Sequence, residues 1–530
     1  MAAPADRDDG AQSIPTAGDG RGVYSTVSPA APAARHGVDE AFRALPLGTL
    51  ADAALSRARA LGAGDASCRI QRVRSARLEV GDGAVRGSED TTRTGLGVRV
   101  RWGGGWGFAA VPEVTPEAAG VAVDRAVALA RACPGGADLA PEPVHPGATW
   151  LSPYRTNPFD VPAAERVAVL AGWSARLLRA PHVRTVVAYL STVQENTFYA
   201  DLAGTTALQQ RVRVHPVLFA FGEDPRTGAR ASLRTLGPPT ARGWEYLAGD
   251  GWDWDAELAA LPGELAAKLR ATPVEPGRYD LVLDPSHLWL TLHETVGHAT
   301  EADRALGHEM SYAGGTFVRP EQVGSLRFGS PLMQVTADRT SAHGLATVGY
   351  DDEGVQARSW DLVRDGVLAG LQHDRRTAAA TGAGRSTGCA YAESATHVPL
   401  PRMPNVSLRP APGGPGTAQL IAGVDDGVYL VGSDAWSIDS WRRGFQFTAQ
   451  RCYRIRKGQL AGQLAGVAYQ GDTTGFWGAL RGVGGPGTYA VFGADQCGKG
   501  QPLQLAATSH GCPATLFAGV RVVNTGTAAP

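Results

Sequence analysis

The segment Tyr279–Asp303, YDLVLDPSHLWLTLHETVGHATEAD, constrains the fold of this chain more than any other stretch. Tyr279–Leu283 reads as a buried strand that runs straight into Asp284-Pro285, an N-cap aspartate followed by proline at the first helical position. The helix that starts there carries Leu288, Leu290, Leu292, His293 and His298 and is expected to run toward Leu306. His293 and His298 are five residues apart. In a regular α-helix that spacing offsets side chains by roughly 140° around the axis. A π-type turn across Thr295-Val296-Gly297 would bring the two rings back to one side, and Gly297 adds no side-chain crowding to such a turn. A helix that tilts or ends there would do the same.

The pattern His293-Glu294-x-x-x-His298 is one residue longer than the H-E-x-x-H of ordinary zinc proteases. Imidazole nitrogens are good zinc ligands, and a neighbouring glutamate can take a proton from a water on the metal. The plain alternative is a pair of core histidines with satisfied hydrogen bonds. Glu294 argues against it, since a carboxylate in so apolar a stretch is costly without a cation or a hydrogen-bond role. Glu301, three residues after His298, can reach the same face, either to orient a ring or to ligate directly. Otherwise Glu301 and Asp303 belong to a solvated acidic surface. A third ligand must come from Glu301, His308, Cys497 or Cys512. Gly498 would let backbone approach a site beside Cys497, and Lys499 favours a thiolate there.

Glycine is abundant (68 of 530 residues) and proline numbers 35, a balance that favours many turns and short strands. The length calls for two or more domains. The expected class is α+β. A flexible extension over 1–38 precedes an α+β domain of antiparallel strands and packed helices over 39–240. A helical connector spans 241–276, and a β-rich domain carrying the metal-binding helix covers 277–530. Expected helices include Asp39–Leu45, one capped by Thr49, and the segments Pro116–Ala132, Ala163–Leu178 and Trp254–Leu269. Expected strands include Arg69–Val73, Leu78–Val80, Leu345–Val348 and Leu420–Val424. The net charge of −1 and the absence of a basic stripe offer nothing to nucleic acid. No run of 18 apolar residues and no basic-then-apolar leader is visible, so a cytoplasmic protein without membrane attachment is expected. No Walker loop supports phosphate chemistry. The six cysteines lack a CxxC pair and do not resemble a disulfide scaffold.

Several motifs in order make the chain similar to one family. They are LDPSHLWLTLHETVGHATEAD (283–303), GYDDEGVQ (349–356), HVPLPRMPN (397–405) and QCGKGQ (496–501), with RIQRVRSARLEVGDGAVRGSEDTTRTGLGVRV and WGFAAV nearer the start. Together they resemble the TldD/PmbA family of zinc metallopeptidases, in its catalytic TldD-type form, over roughly residues 40–525. The resemblance implies Zn2+ bound by His293, His298 and Cys497, with Glu294 deprotonating the attacking water and Cys512 structural. It also implies a homodimer, or a heterodimer with a related subunit, acting on short or unfolded peptides. QCGKGQ is one residue shorter than the usual family form. His397, Arg402 and Asn405, in a loop stiffened by three prolines, are candidate helpers or simply turn builders. The competing readings are a zinc amidase and a non-catalytic, metal-stabilised peptide-binding subunit.

Overall fold

The computed structural model describes residues 36–526, so the extension expected over 1–38 lies, up to residue 35, outside the described residues. Asp65–Gly81 (β1) and Ala84–Trp102 (β2) form a long hairpin. Its tip, Asp82-Gly83, has φ of 53° and 84°, the two positive values that a tight twisted hairpin turn requires. Gly105–Val111 (β3), Ala148–Leu151 (β4), Val183–Asp201 (β5), Thr206–Glu223 (β6) and Arg230–Arg234 (β7) complete a seven-stranded sheet. The order is β3-β2-β1-β5-β6-β4, with β7 added to β6, and only β4–β6 is parallel.

Helices Leu47–Ala60 (α1) and Pro116–Ala132 (α2) bury Leu50, Ala54, Val123 and Ala126 against Ile70, Leu96 and Val98. Thr115 caps α2 as expected, its hydroxyl accepting from the Ala118 amide at 3.2 Å. Gly107 permits the close approach of α2, because a Cβ there would sit 1.8 Å from the Ala126 carbonyl oxygen. Ala163–Leu178 (α3) and Trp254–Leu269 (α4) bury Leu170, Leu177, Leu258 and Leu261 with Val186, Ala188 and Leu218.

Beyond residue 276 strands dominate. Gly277–Leu283 (β8), Asp426–Ile438 (β9), Gly444–Arg456 (β10), Val467–Asp472 (β11) and Thr515–Asn524 pair in a closed circuit. β8 lies parallel to β9, and the other contacts around the circuit are antiparallel. The helix Pro285–Leu292 (α5) leaves the end of β8, and its Leu288 and Leu292 join Leu281, Phe447, Tyr469 and Phe517 in the core. A separate hairpin, Ala490–Lys499 (β12) with Gln504–Cys512 (β13), lies beside α5. The fold is α+β with a β-rich C-terminal region, as expected.

Four local expectations are corrected. Thr49 lies inside α1, whose cap position is Pro46 with no side-chain bond, because the prolyl ring already sets the entry of the chain. The two strands expected at Arg69–Val73 and Leu78–Val80 are one continuous β1, held between β2 and β5 along its length. Leu420 falls in a helix, Thr417–Ala422, which buries Leu420 and Ile421 at helical spacing. Leu345–Val348 is a loop, pinned by amide bonds from Leu345 to Ser509 and from Ala346 to Asn405. No helix among the described residues is long and apolar enough to cross a membrane.

Candidate metal centre

Asp284 caps α5 through a 2.9 Å bond from the Ser286 amide, and Pro285 occupies the first turn. The α-helix then stops at Leu292. His293–Gly297 forms a π turn in which the His298 amide donates to the His293 carbonyl. A 3-10 turn, His298–Thr300, follows, and at Glu301 the backbone becomes extended (φ −69°, ψ 122°). The helix therefore does not continue unbroken to Leu306.

Side chains donate to carbonyls in and around the irregular turn. Thr295 Oγ1 donates to Thr291 O at 2.5 Å, and Thr300 Oγ1 donates to Val296 O at 2.8 Å. Gln372 Nε2 donates to Gly297 O at 2.5 Å. Indole Nε1 of Trp477 donates to Thr295 Oγ1 at 2.9 Å. The consequence is that the two imidazoles, which a regular helix would splay, lie with centroids 4.6 Å apart at 81°.

Cys497 reaches the same point from β12, at a bulge between Ala494 and Cys497, and its Sγ lies 3.5 Å from His298 Nε2. Donor atoms of His293, His298 and Cys497 all fall within 4.8 Å of one another, and all three residues are buried. Donors around a tetrahedral zinc with nitrogen and sulfur ligands are about 3.3–3.7 Å apart, so slight closure brings this set to ligating distance.

Each imidazole is aimed by a partner. His298 Nδ1 donates to Glu301 Oε2 at 2.9 Å, which leaves Nε2 toward Cys497. His293 Nδ1 lies 2.8 Å from His510 Nε2, and His510 Nδ1 lies 2.9 Å from the Val406 carbonyl. Glu301 is itself fixed by Arg304 Nε at 2.5 Å and Lys499 Nζ at 3.1 Å.

Burial lowers the pKa of both His293 and His298, which favours the neutral, ligating form. Burial alone would raise the Cys497 thiol, but His298 and the Arg402 guanidinium outweigh it and leave the pKa below its ordinary value. Two neutral imidazoles and a readily ionised thiol are a donor set suited to zinc.

Glu294 faces the same cavity of about 430 Å³, which His293, His298 and Cys497 also line. Its Oε2 accepts from Arg442 Nη1 at 2.8 Å. Of the other expected helpers, Arg402 lies beside Cys497, and His397 and Asn405 sit elsewhere. Lys499 is spent on Asp303, Glu301 and the Pro401 carbonyl, so Arg402 rather than Lys499 is the cation beside the thiol. Arg402 also ties the two strands of the ligand hairpin, donating to Cys497 O and Gln504 O. Asn405 braces loops through Ala346, Asp338 and Thr347. His397 bonds to Ser394, outside the cavity. His308 is exposed, and Cys512 is buried in the apolar core. His510 and Arg442 escape sequence reasoning; the visible signal for His510 is a polar run, Thr508-Ser509-His510, within the buried stretch 506–512.

With this geometry, residues 276–524 match the PmbA/TldA metallopeptidase C-terminal domain, and residues 66–130 match the PmbA/TldA metallopeptidase domain 1. The chain belongs to the TldD/PmbA metallopeptidase family. It is 28% identical over 429 residues to a metalloprotease of Methanothermobacter thermautotrophicus, covering 80% of this chain and 88% of the relative. A zinc metalloprotease TldD homolog of Saccharolobus solfataricus is 28% identical over 225 residues, 42% of this chain and 48% of that protein. The fold is similar to that of TldE from Thermococcus kodakarensis, with a TM-score of 0.67 and 15% identity over 88% of this chain and 98% of that one.

Proposed function

We propose that this chain is a TldD-type zinc peptidase that hydrolyses peptide bonds in short or unfolded peptides. The observation that carries the reading is the convergence of His293, His298 and Cys497 donors within 4.8 Å in a cavity that Glu294 also lines. Zinc held by those three side chains would polarise a peptide carbonyl and lower the pKa of a water. Glu294 takes a proton from the attacking water and returns it to the leaving amine. His510 and Glu301 keep the two imidazoles in the tautomer that presents Nε2 to the ion.

An extended substrate is favoured by β12. Its residues Phe492–Gly498 all line the cavity, and among the described residues β12 pairs only with β13. A strand with a free edge can hold a peptide through main-chain bonds, with little side-chain selection. Assembly as a homodimer, or with a related subunit, is supported by exposed Trp436, which lines the cavity, and exposed Trp441, next to Arg442 in the same hairpin.

The experiment is Glu294→Gln in the metal-loaded protein, with zinc content measured and products from an unstructured peptide read by mass spectrometry. The expected result is full zinc occupancy with activity lost at least 100-fold. Unchanged activity in the variant would mark a non-catalytic subunit, and cleavage of small amides but not peptides would mark an amidase.

A further inference from the structure

Arg442 stands at the tip of the β9–β10 hairpin, in a turn whose sequence, Ser440-Trp441-Arg442-Arg443, reads as solvent-facing. The structure turns one of the two arginines inward. Arg443 is exposed, whereas the Arg442 side chain keeps only 13% of its surface. Its backbone is left-handed at φ 59°, a strained conformation for a non-glycine residue that persists only where its surroundings over-determine it.

Those surroundings are specific. The Asp439 carboxylate accepts the amides of Trp441, Arg443 and Gly444, and Thr473 Oγ1 donates to the Arg442 carbonyl at 2.7 Å. The guanidinium is aimed as firmly as its backbone. Nη1 meets Glu294 Oε2 at 2.8 Å and Nη2 meets Ala313 O at 2.9 Å, while buried Nε has no partner among the described residues. Since each terminal nitrogen carries two hydrogens, donors remain beyond those two bonds.

The other cations lining the cavity outside the candidate ligands do not bond to Glu294. Arg234 holds Ser433 through its carbonyl and hydroxyl, and His215 pairs with Asp495. Among the described residues, Arg442 alone combines a fixed guanidinium, spare N–H groups and contact with the glutamate that handles the water proton.

We propose that Arg442 is a catalytic residue, binding the oxygen of the scissile carbonyl as it gains negative charge; this rests on the peptidase reading above. When the water oxygen bonds to the carbonyl carbon, the π electron pair moves onto the carbonyl oxygen and the water's proton passes to Glu294. Arg442 donates a hydrogen bond to that oxygen and stays charged throughout. The carbonyl re-forms as the carbon–nitrogen bond breaks, and Glu294 protonates the departing amine. Donors fixed before the reaction begins stabilise developing charge without reorganising, and removal of one such donor costs about 100- to 1000-fold in rate. The Glu294 contact uses Oε2, which leaves Oε1 for the water.

The test compares Arg442→Ala and Arg442→Lys with the wild type at equal zinc occupancy. The expected result for Arg442→Ala is a fall in kcat of about 100-fold or more with KM within a few-fold. Arg442→Lys should recover part of the rate, and added guanidinium should partly rescue Arg442→Ala. Affinity for a phosphinic pseudopeptide, measured by calorimetry in a Glu294→Gln background, separates direct contact from orientation of the glutamate. A further loss on adding Arg442→Ala supports the proposal; unchanged affinity overturns it, as does a kcat within three-fold of wild type. Wild-type protein that binds zinc but cleaves no peptide would instead sink the peptidase reading, and the phosphinic affinity would still judge Arg442.

Discussion

His293 and His510 share one hydrogen bond whose direction is dictated by a third group. The Val406 carbonyl can only accept, so His510 must carry its proton on Nδ1, and its Nε2 then faces His293 Nδ1 at 2.8 Å as an acceptor. His293 must in turn be protonated on Nδ1, which frees its Nε2 lone pair for the cavity. His298 reaches the same state by a different route, through the Glu301 carboxylate. One ligand candidate is thus backed by a neutral imidazole and the other by a carboxylate that Arg304 and Lys499 already neutralise.

His510→Ala should therefore weaken zinc binding about 10- to 100-fold, the usual cost of removing a hydrogen-bond partner behind a ligating histidine. His510→Gln, whose amide oxygen can accept at nearly the position of Nε2, should restore part of the loss. Competition against a chromophoric chelator measures both. Equal affinities for wild type and His510→Ala would rule out this orienting role.

Gly297 bears on the π turn itself. A Cβ at this position would lie 2.4 Å from Met403 Sδ and 2.7 Å from its Cε, and Met403 is buried. Gly297→Ala should destabilise the protein by about 1–3 kcal/mol through overpacking. Met403→Ala alone should also destabilise, by leaving a cavity. The double variant should be more stable than the sum of the two losses. Urea unfolding of all four proteins gives the coupling, and strict additivity would mean that the turn does not depend on this contact.

The extents of α2, α3 and α4 are legible because local chemistry decides them: Thr115-Pro116 at a start, apolar residues at helical spacing within. An irregularity at Thr295-Val296-Gly297 is legible for a similar reason, since five-residue spacing of two would-be ligands is incompatible with a regular helix, but the choice of a π turn over a tilted or ended helix is not. Contacts made by the tertiary fold are not. The parallel pairing of β8 with β9, and the meeting of His293 with His510, join segments with no local signal linking them. Lys499 shows how proximity in sequence misleads. Two residues from Cys497 along β12, it buries its ammonium against Glu301 and Asp303. Arg442 reads as a surface residue because only the folded hairpin reveals which of two adjacent arginines points inward.

Glu195 makes the acid sensitivity of the fold measurable. It joins Arg211 and Arg213 of β6 to β5, with its Oε1 2.7 Å from Arg213 Nη1. Burial would raise its pKa, but the two guanidiniums overcome that and bring it from 4.5 to about 2. The unfolded chain binds this proton first as pH falls. The stabilisation is therefore complete above about pH 4.5, declines between about 4.5 and 2, and is absent below, amounting to about 3 kcal/mol. Glu195→Gln should be less stable than wild type by about that amount at pH 7, and the difference should shrink as pH drops through this window. Urea midpoints at pH 7, 4 and 3 check it; a difference independent of pH would remove the electrostatic explanation.

Glu301 carries the heaviest electrostatic burden near the metal centre. It has no exposed surface, yet it touches His298, Arg304 and Lys499, and the two cations are equally buried. Burial pushes its carboxyl upward, while Lys499, Arg304 and His298 together hold the pKa well below the ordinary carboxylate range. Glu301→Gln keeps an oxygen to accept from His298 but removes the charge, leaving Asp303 as the carboxylate facing two interior cations. Breaking a buried ion pair from one side costs about 3–5 kcal/mol, chiefly because the remaining charge is stranded. The variant should lose stability on that scale. Replacing Lys499 by Met at the same time should recover part of it, since one stranded cation disappears with its carboxylate. Zinc affinity, measured in parallel, should fall less in Glu301→Gln than in Glu301→Ala, because only the latter releases the His298 ring. If Glu301→Gln unfolds at the wild-type urea concentration, the network contributes no net stability and its role is confined to orienting His298.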